Sequence, residues 1–250
     1  MSSWGLDVLA VGPHPDDVEL CCGGTIAGLV SAGHRVEIVD LTEGELASNG
    51  TVDDRRVEAA QAGEILGVRE RHNLGLPDGG LSVHDDAQVA ALVELLRRLK
   101  PELILAPPER ARHPDHEAAS AVVRRAVFLA NLKQFGNGLR TAPRRLLHYE
   151  MRVAITPAFV VDTSGSWDAK RRAIASYGSQ MVATSSTAST LVNDSGTMRA
   201  IEARDRRYGA MIGAEFGEPF SMAAQVGVTD PLELLRRGPA GPIHLFEDQT

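Results

Sequence analysis

The feature that most constrains the fold is an alternation of short apolar runs, rich in Val, Ile and Leu, with longer segments of helical periodicity. This alternation is typical of an α/β domain with a mainly parallel sheet, because each strand is followed by a crossover helix. The sequence therefore predicts a Rossmann-like three-layer α/β fold with helices on both faces of the sheet. The predicted strands and helices alternate along the chain as Leu6–Gly12, Val18–Ala32, Arg35–Leu41, Asp53–Leu66, Arg71–Leu74, Ala87–Leu99, Leu103–Ala106 and Asp115–Ala130.

The rest of the chain has a less regular pattern. Its predicted elements are the strands Leu146–Tyr149 and Ala158–Val161 and the helices Trp167–Tyr177 and Met198–Ile212. The Ser/Thr-rich segment Ala183–Ser195 between these helices predicts a mobile loop, either a lid or a variable connection. Since the sequence contains neither an internal repeat nor a linker, we expect residues 1–250 to form one domain.

Charge and cysteine content restrict the partners and the compartment. A formal net charge of −7 disfavours binding to a phosphate backbone, so we expect no nucleic-acid partner. The first apolar run, Val8 to Val11, is too short for a signal peptide or a membrane span, so we expect a cytoplasmic protein with no membrane partner. Cys21 and Cys22 are adjacent and fit neither a redox pair nor a disulfide framework, and we interpret them as core residues.

Polar clusters follow three of the predicted strands. In an open parallel sheet, ligands bind beyond the carboxyl ends of the strands, so these clusters mark the expected site. The clusters are His14-Pro15-Asp16-Asp17, Thr42-Glu43-Gly44-Glu45 and His113-Pro114-Asp115-His116.

The turn after the first strand excludes several cofactor classes. A dinucleotide-binding fold would place G-x-G-x-x-G there, whereas this turn holds a histidine and two acids that would repel a pyrophosphate. The sequence also contains neither G-x-x-x-x-G-K-[ST] nor G-x-S-x-G. A nicotinamide cofactor, a phosphate-binding loop and a nucleophile elbow are therefore disfavoured.

The same turn favours a metal site. His14 and Asp17 lie three residues apart at a helix start and can face one point. His113 and His116 repeat this spacing, and one of them can complete a three-ligand set. Two histidines and a carboxylate with an open position suit catalytic zinc, which activates water. The leading hypothesis is therefore metal-assisted hydrolysis.

Four alternatives remain open from the residues alone. Asp16 or Asp17 can simply cap the following helix. Paired acids can hold Mg²⁺ for phosphoryl transfer, but the histidines would then have no role. A non-haem iron oxygenase uses the same ligand types, usually on an all-β barrel that this pattern does not support. A metal-free α/β binding module is the alternative that is not an enzyme.

These motifs together resemble a known family, the LmbE-like (PIG-L) zinc-dependent N-deacetylases. The resemblance is carried by Gly12 to Asp17 with Glu19, Gly23-Gly24-Thr25, Leu41 to Glu45 and His113 to His116. Asn49-Gly50-Thr51 with Arg55 and Glu58, Leu76-Pro77-Asp78, Pro157 to Asp162, and Glu202 through Phe220 resemble most the branch of bacillithiol-biosynthesis N-acetylglucosaminyl-malate deacetylases and related N-acetylglucosamine deacetylases.

The resemblance implies a function. The expected reaction is zinc-dependent removal of the N-acetyl group from N-acetylglucosaminyl L-malate, with release of acetate. The alternative substrates are N-acetylglucosamine, a chito-oligosaccharide or another small N-acetylglucosaminyl conjugate. The family also implies a homo-oligomer, either a hexamer or a trimer.

The resemblance further implies roles for individual residues. The implied metal ligands are His14, Asp17 and His116, and the implied substrate contacts are Arg55, Arg152 and Tyr208. Asp16 becomes the general base. His113 stabilises the oxyanion or protonates the leaving amine, and Asp115 influences the charge or orientation of His113. For the three substrate contacts, an ordinary surface or packing role is the alternative.

Overall fold

The computed structural model describes residues 5–182, 188–190, 193–194 and 196–230. Its centre is a sheet whose strands are β1 (Leu6–Gly12), β2 (Val36–Thr42), β3 (Glu70–Leu76), β4 (Pro101–Ala106), β5 (Arg145–Tyr149), β6 (Phe159–Asp162) and β7 (Gly217–Ser221). Within the described residues the sheet has seven strands in the order β3-β2-β1-β4-β5-β7-β6. The first five strands are parallel, and β7 runs antiparallel to both β5 and β6.

Helices cover both faces of this sheet. They are α1 (Asp17–Ser31), α2 (Val52–Leu66), α3 (Asp86–Leu99), α4 (Pro114–Ala130), α5 (Trp167–Ala175), α6 (Gly178–Met181) and α7 (Thr197–Met211). Leu92 of α3 and Val123 of α4 belong to one buried apolar cluster, and Ile26 of α1 and Ala173 of α5 belong to another. From Val8 to Val11, alternate residues of β1 contribute to the two clusters, because successive side chains of a strand point to opposite faces. The predicted three-layer α/β fold is confirmed.

The structure corrects the sequence-based elements in the C-terminal part. The predicted helix Trp167–Tyr177 ends at Ala175, and a separate short helix, α6, follows it. Strand β7 was not predicted, since Gly and Pro are depleted in strands. Pro219 pairs with Val160 of β6, whereas β5 pairs only with the next two residues of β7. The strand therefore forms through tertiary pairing against its local propensity.

Two further predictions concern α1 and the Ser/Thr-rich segment. Cys21 and Cys22 are free thiols, 4% and 0% exposed, which confirms their assignment to the core. Of the predicted loop Ala183–Ser195, residues 183–187, 191–192 and 195 lie outside the described residues. Its described part is bound by the side chain of Asn49, whose amide donates to the Ala188 carbonyl (2.9 Å) and accepts from the Ala188 N–H (2.7 Å).

Among the helices of the described ranges, none combines the length and the apolar character that crossing a bilayer requires.

Candidate active site

The three polar clusters meet at the carboxyl ends of β1, β2 and β4. Strand β1 lies between β2 and β4, so the crevice at this edge is the switch point of the sheet, where α/β folds bind ligands. The Thr42 hydroxyl donates to the Pro13 carbonyl (3.0 Å), which joins the turns after β2 and β1. The ring of His14 lies 5.1 Å from that of His113 and 5.4 Å from that of His116, measured between centroids. Strand order thus brings together residues that are distant in sequence.

His14, Asp17 and His116 form a compact donor set. One carboxylate oxygen of Asp17 lies 3.1 Å from Nδ1 of His14 and 3.3 Å from Nε2 of His116. One ligand atom from each residue lies within 4.8 Å of the others, close enough for a single metal ion. Two imidazole nitrogens and a carboxylate oxygen are ligands that zinc accepts. The residues present therefore fit a catalytic metal site of the expected kind.

The electrostatics of this set favour a cation. Burial alone would lower the pKa of His14, but the carboxylates of Asp115, Asp17 and Asp78 raise it to about 12. Burial would likewise raise the pKa of Asp17, but His116 and His14 hold it well below its usual value. Without a metal, a protonated imidazole thus occupies a site lined by carboxylates. A metal ion there would replace one positive charge with another.

Asp16 adopts an unusual backbone conformation at the start of α1. Its φ of 108° and ψ of −29° lie in a region that non-glycine residues rarely adopt. It occupies the N-cap position, yet its side chain makes no capping hydrogen bond, so the capping alternative is wrong for this residue. Burial raises the pKa of its carboxyl group to about 7, although Arg55 opposes that shift. A carboxyl group with such a pKa can take up and release a proton near neutral pH.

Arg55 lies beneath the Asp16 turn. A capping box between Thr51 and Asp54 starts α2 and so fixes the first turn that carries Arg55. The residue is only 5% exposed, its guanidinium donates to the Pro15 carbonyl, and Nη2 lies 3.4 Å from the Asp16 carboxylate. Its expected role as a substrate contact stays a prediction, whereas its contact with Asp16 is direct.

Gly44 makes room for the Arg55 guanidinium. This glycine has a φ of +68°, and a Cβ atom built on it would lie 2.7 Å from Nη1 of Arg55. The turn after β2 is thus shaped around the arginine. Any larger residue at this position would press on the group that contacts Asp16.

His113 is exposed, and its orientation is fixed from the backbone. Its Nδ1 accepts a hydrogen bond from the Asp115 N–H (3.2 Å) and caps α4, and its ring stacks on His116 at 4.8 Å. Burial and the neighbouring histidines lower its pKa, so the ring is neutral at pH 7. Because Nδ1 accepts, the proton of the neutral ring resides on Nε2. His113 therefore presents an N–H donor.

The carboxylate of Asp115 contacts His14. It lies 3.3 Å from Nε2 of His14 and accepts backbone N–H groups from Gly79 (2.7 Å) and Leu81 (3.3 Å). The contact of Asp115 with His113 runs through its backbone N–H. The expected influence of Asp115 on His113 stays a prediction. The carboxylate of Asp115 contacts His14, which is a predicted metal ligand.

Tyr208 and Arg152 lie in the part of the chain that follows β5. Tyr208 lies on α7 and is 2% exposed, and its hydroxyl donates to the carboxylate of Glu150 (2.6 Å) just after β5. Burial and this hydrogen bond raise the pKa of Tyr208 to about 12. Arg152 is exposed in the segment that follows Glu150. Substrate contact by either residue stays a prediction.

Asp78 also contacts His14, although the sequence predicted no role for it. Its carboxylate lies 3.1 Å from Nε2 of His14. The motif Leu76-Pro77-Asp78 contributes to the family resemblance without an implied role for Asp78. Asp78 follows β3, so the rule that places ligands beyond strand ends would have found it once β3 was extended to Leu76.

Comparisons with known proteins agree with this geometry. A sequence model of the family described as GlcNAc-PI de-N-acetylase (PIG-L) matches residues 9–127. The chain is 30% identical over 186 residues to diacetylchitobiose deacetylase of Thermococcus kodakarensis, and the matched region covers 69% of each chain. It is 34% identical over 132 residues to a probable N-acetyl-alpha-D-glucosaminyl L-malate deacetylase 2 of Bacillus cereus, which covers 48% of this chain and 60% of that protein.

A solved structure extends the likeness over the fold. The conserved protein TT1542 of Thermus thermophilus superposes with a TM-score of 0.82 at 39% sequence identity, over 89% of this chain and 97% of that one. The sequence motifs, the carboxyl-edge site and these similarities agree. The chain belongs to the LmbE-like (PIG-L) family.

Proposed function

We propose that this protein is a zinc-dependent N-deacetylase that hydrolyses the acetamide of an N-acetylglucosaminide and releases acetate and a free amine. The observation that carries the proposal is the donor set of His14, Asp17 and His116 beside the buried carboxyl group of Asp16. Relatives named as deacetylases support the same reaction class.

The donor set would hold the metal. Two histidine nitrogens and one carboxylate oxygen leave a position open in a tetrahedral zinc site. When bound there, zinc supplies Lewis acidity, which polarises a carbonyl group and lowers the pKa of water.

The remaining side chains would move protons and stabilise charge. Asp16 accepts a proton from the attacking water, as its pKa near neutrality allows. The water oxygen bonds to the acetamide carbon, and the C–N bond then breaks as the amine nitrogen takes the proton that Asp16 removed from the water. His113 offers its Nε2–H either to the oxyanion or toward this nitrogen.

We further propose N-acetylglucosaminyl L-malate, in bacillithiol biosynthesis, as the substrate. The relative from Bacillus cereus and the exposed residue Arg152 support it, because a guanidinium can bind a carboxylate with two hydrogen bonds. A neutral substrate such as diacetylchitobiose is the second candidate, favoured by the relative from Thermococcus kodakarensis. The burial of Arg55 leaves Arg152 as the principal cation proposed to meet malate.

Metal analysis with activity assays tests the reaction class. We expect about one zinc per chain and amine release from at least one of three substrates: the malate glycoside, diacetylchitobiose or N-acetylglucosamine. Chelation should abolish this activity, and added zinc should restore it. Amine release that survives complete metal removal would refute the zinc mechanism, and inactivity of the zinc-loaded protein on all three would favour a binding module.

The proposed assembly is a homo-oligomer, either a trimer or a hexamer. Light scattering coupled to size-exclusion chromatography measures the mass directly. A mass equal to one 26.8 kDa chain would contradict this expectation.

A further inference from the structure

The two ring nitrogens of His14 face different groups. Its Nδ1 lies toward the carboxylate of Asp17 (3.1 Å), within the donor set described above. Its Nε2 lies 3.1 Å from Asp78 and 3.3 Å from Asp115, on the other side of the ring. The metal-facing nitrogen and the nitrogen that contacts these two acids are therefore distinct.

The carboxylate of Asp78 is held in place by the loop after β2. One of its oxygens accepts the backbone N–H of Leu46 (3.0 Å), and its own backbone N–H donates to the carboxylate of Glu45 (2.7 Å). The side chain of Asp78 is 9% exposed. The Asp78 oxygen that faces His14 is thus positioned by contacts that do not involve the metal donor set.

The carboxylate of Asp115 is fixed in a similar way from the loop after β3. The backbone N–H groups of Gly79 and Leu81 donate to its two oxygens. Its side chain is 3% exposed. Two carboxylate acceptors, Asp78 from the loop after β3 and Asp115 from the first turn of α4, therefore converge on one ring nitrogen of His14.

We propose that Asp78, together with Asp115, is a positioning residue that selects which nitrogen of His14 binds the metal. A neutral imidazole carries one N–H group and one lone pair. Acceptors at Nε2 hold the N–H there, so the lone pair stays on Nδ1, on the side of Asp17 and His116. The inference deepens the proposed function and rests on it only in taking His14 as a metal ligand.

The size of the effect follows from known metal sites. A carboxylate that accepts from the second nitrogen of a ligating histidine fixes its tautomer and orientation, and its loss commonly weakens metal binding by about 10–100-fold. Asp78 is the more informative of the two acids, because Asp115 lies beside His116 in the sequence and its backbone N–H donates to His113, the N-cap of α4. Substitution of Asp78 leaves that helix start unchanged.

The test compares zinc affinities of the purified protein and two Asp78 variants. Zinc dissociation constants are measured by competition with a chromophoric chelator for the wild type, Asp78→Asn and Asp78→Ala. We expect about a 10–100-fold weaker affinity for Asp78→Ala and a smaller loss for the isosteric Asp78→Asn. Glu45→Gln is the matched control: the Gln side-chain oxygen can still accept the Asp78 backbone N–H, so the zinc affinity of this variant should stay within about twofold of wild type.

A second measurement does not depend on affinity. The ¹⁵N spectrum of His14 in the zinc-loaded wild type should show a protonated Nε2 and a metal-bound Nδ1. Unchanged affinity in Asp78→Ala, or a spectrum with the metal on Nε2, would overturn the proposal. If the wild type itself binds no zinc, the proposed function fails with it, an outcome distinct from a wild type that binds zinc and an Asp78 variant that binds it equally well.

Discussion

The guanidinium of Arg55 contacts the Asp16 carboxylate at 3.4 Å and also donates to the carbonyl of the residue just before it, Pro15. Asp16 has a φ of 108°, a conformation that costs about 1–3 kcal/mol for a non-glycine residue and needs support from its surroundings. Arg55 supplies such support from α2. Its Nε has no hydrogen-bond partner among the described residues, so the contacts of its outer nitrogens are the ones that hold it.

Replacement of Arg55 by Ala should therefore lower kcat more than it raises KM. Displacing a catalytic group by about 1 Å can cost on the order of 10²-fold in rate, so we expect a loss of that order with zinc content unchanged. Steady-state kinetics and metal analysis of Arg55→Ala measure both quantities. A large rise in KM with kcat intact would instead support the substrate contact implied by the family resemblance.

The adjacent acids should separate in their effects. Asp16→Asn removes the proposed base but no proposed ligand, so it should retain zinc while kcat falls by on the order of 10²-fold or more. Asp17→Asn and His116→Ala should weaken zinc binding, since both residues belong to the donor set. Metal content and kcat of the purified variants check this division, and zinc loss in Asp16→Asn would show the assignment to be reversed.

A comparison of two glycine substitutions tests the contact between Gly44 and Arg55. Gly44→Ala and Gly33→Ala both place a side chain at positive φ, +68° and +88°, which costs roughly 1–2 kcal/mol in each case. A Cβ at Gly33 would meet no atom of the described ranges within 4 Å, whereas one at Gly44 would meet the Arg55 guanidinium. We expect the loss of unfolding free energy in Gly44→Ala to equal or exceed that in Gly33→Ala, and kcat to fall in Gly44→Ala alone. Urea unfolding and steady-state assays measure the two effects, and equal kcat values would contradict the proposed role of this contact.

Zinc binding should release protons at pH 7. The pKa of His14 is raised to about 12, so the metal-free protein carries a proton on this ring at neutral pH, and a ligating imidazole must give it up. Zinc affinity should accordingly fall as the pH is lowered. Calorimetric titration in buffers of different ionisation enthalpy counts the protons, and we expect at least about one per zinc bound. Binding with no proton release would show that His14 is already neutral or is not a ligand.

Charge should decide between the two candidate substrates. We expect kcat/KM for N-acetylglucosaminyl L-malate to exceed that for N-acetylglucosamine by at least roughly tenfold, about 1.4 kcal/mol, which one charge-assisted hydrogen bond can supply. Arg152→Ala should shrink this ratio, whereas Arg55→Ala should lower both values alike, because Arg55 is buried. Equal kcat/KM for the charged and neutral glycosides in the wild type would contradict the malate assignment.

The sequence by itself determined the parts of the molecule that depend on neighbouring residues. The period of apolar residues predicted the first four strands and their helices to within two residues at each boundary, because local patterning sets which face of each element is buried. Strand ends followed by His14-Pro15-Asp16-Asp17 and His113-Pro114-Asp115-His116 then indicated the edge of the sheet and the metal chemistry. These inferences need only the rule that parallel strands point the same way.

Tertiary structure decided what depends on contacts between distant residues. Strand β7 has weak local propensity and forms only because β5 and β6 offer it hydrogen-bond partners. The hydrogen bond from Arg55 to the Pro15 carbonyl joins residues 40 positions apart, and the contact of Asp78 with His14 joins residues 64 positions apart. Such contacts are set by strand order and by the packing of loops, which local periodicity does not encode. The residue types of the predicted metal ligands can thus be read along the chain. Which nitrogen of His14 faces Asp17 depends instead on contacts with Asp78 and Asp115, which are distant in sequence.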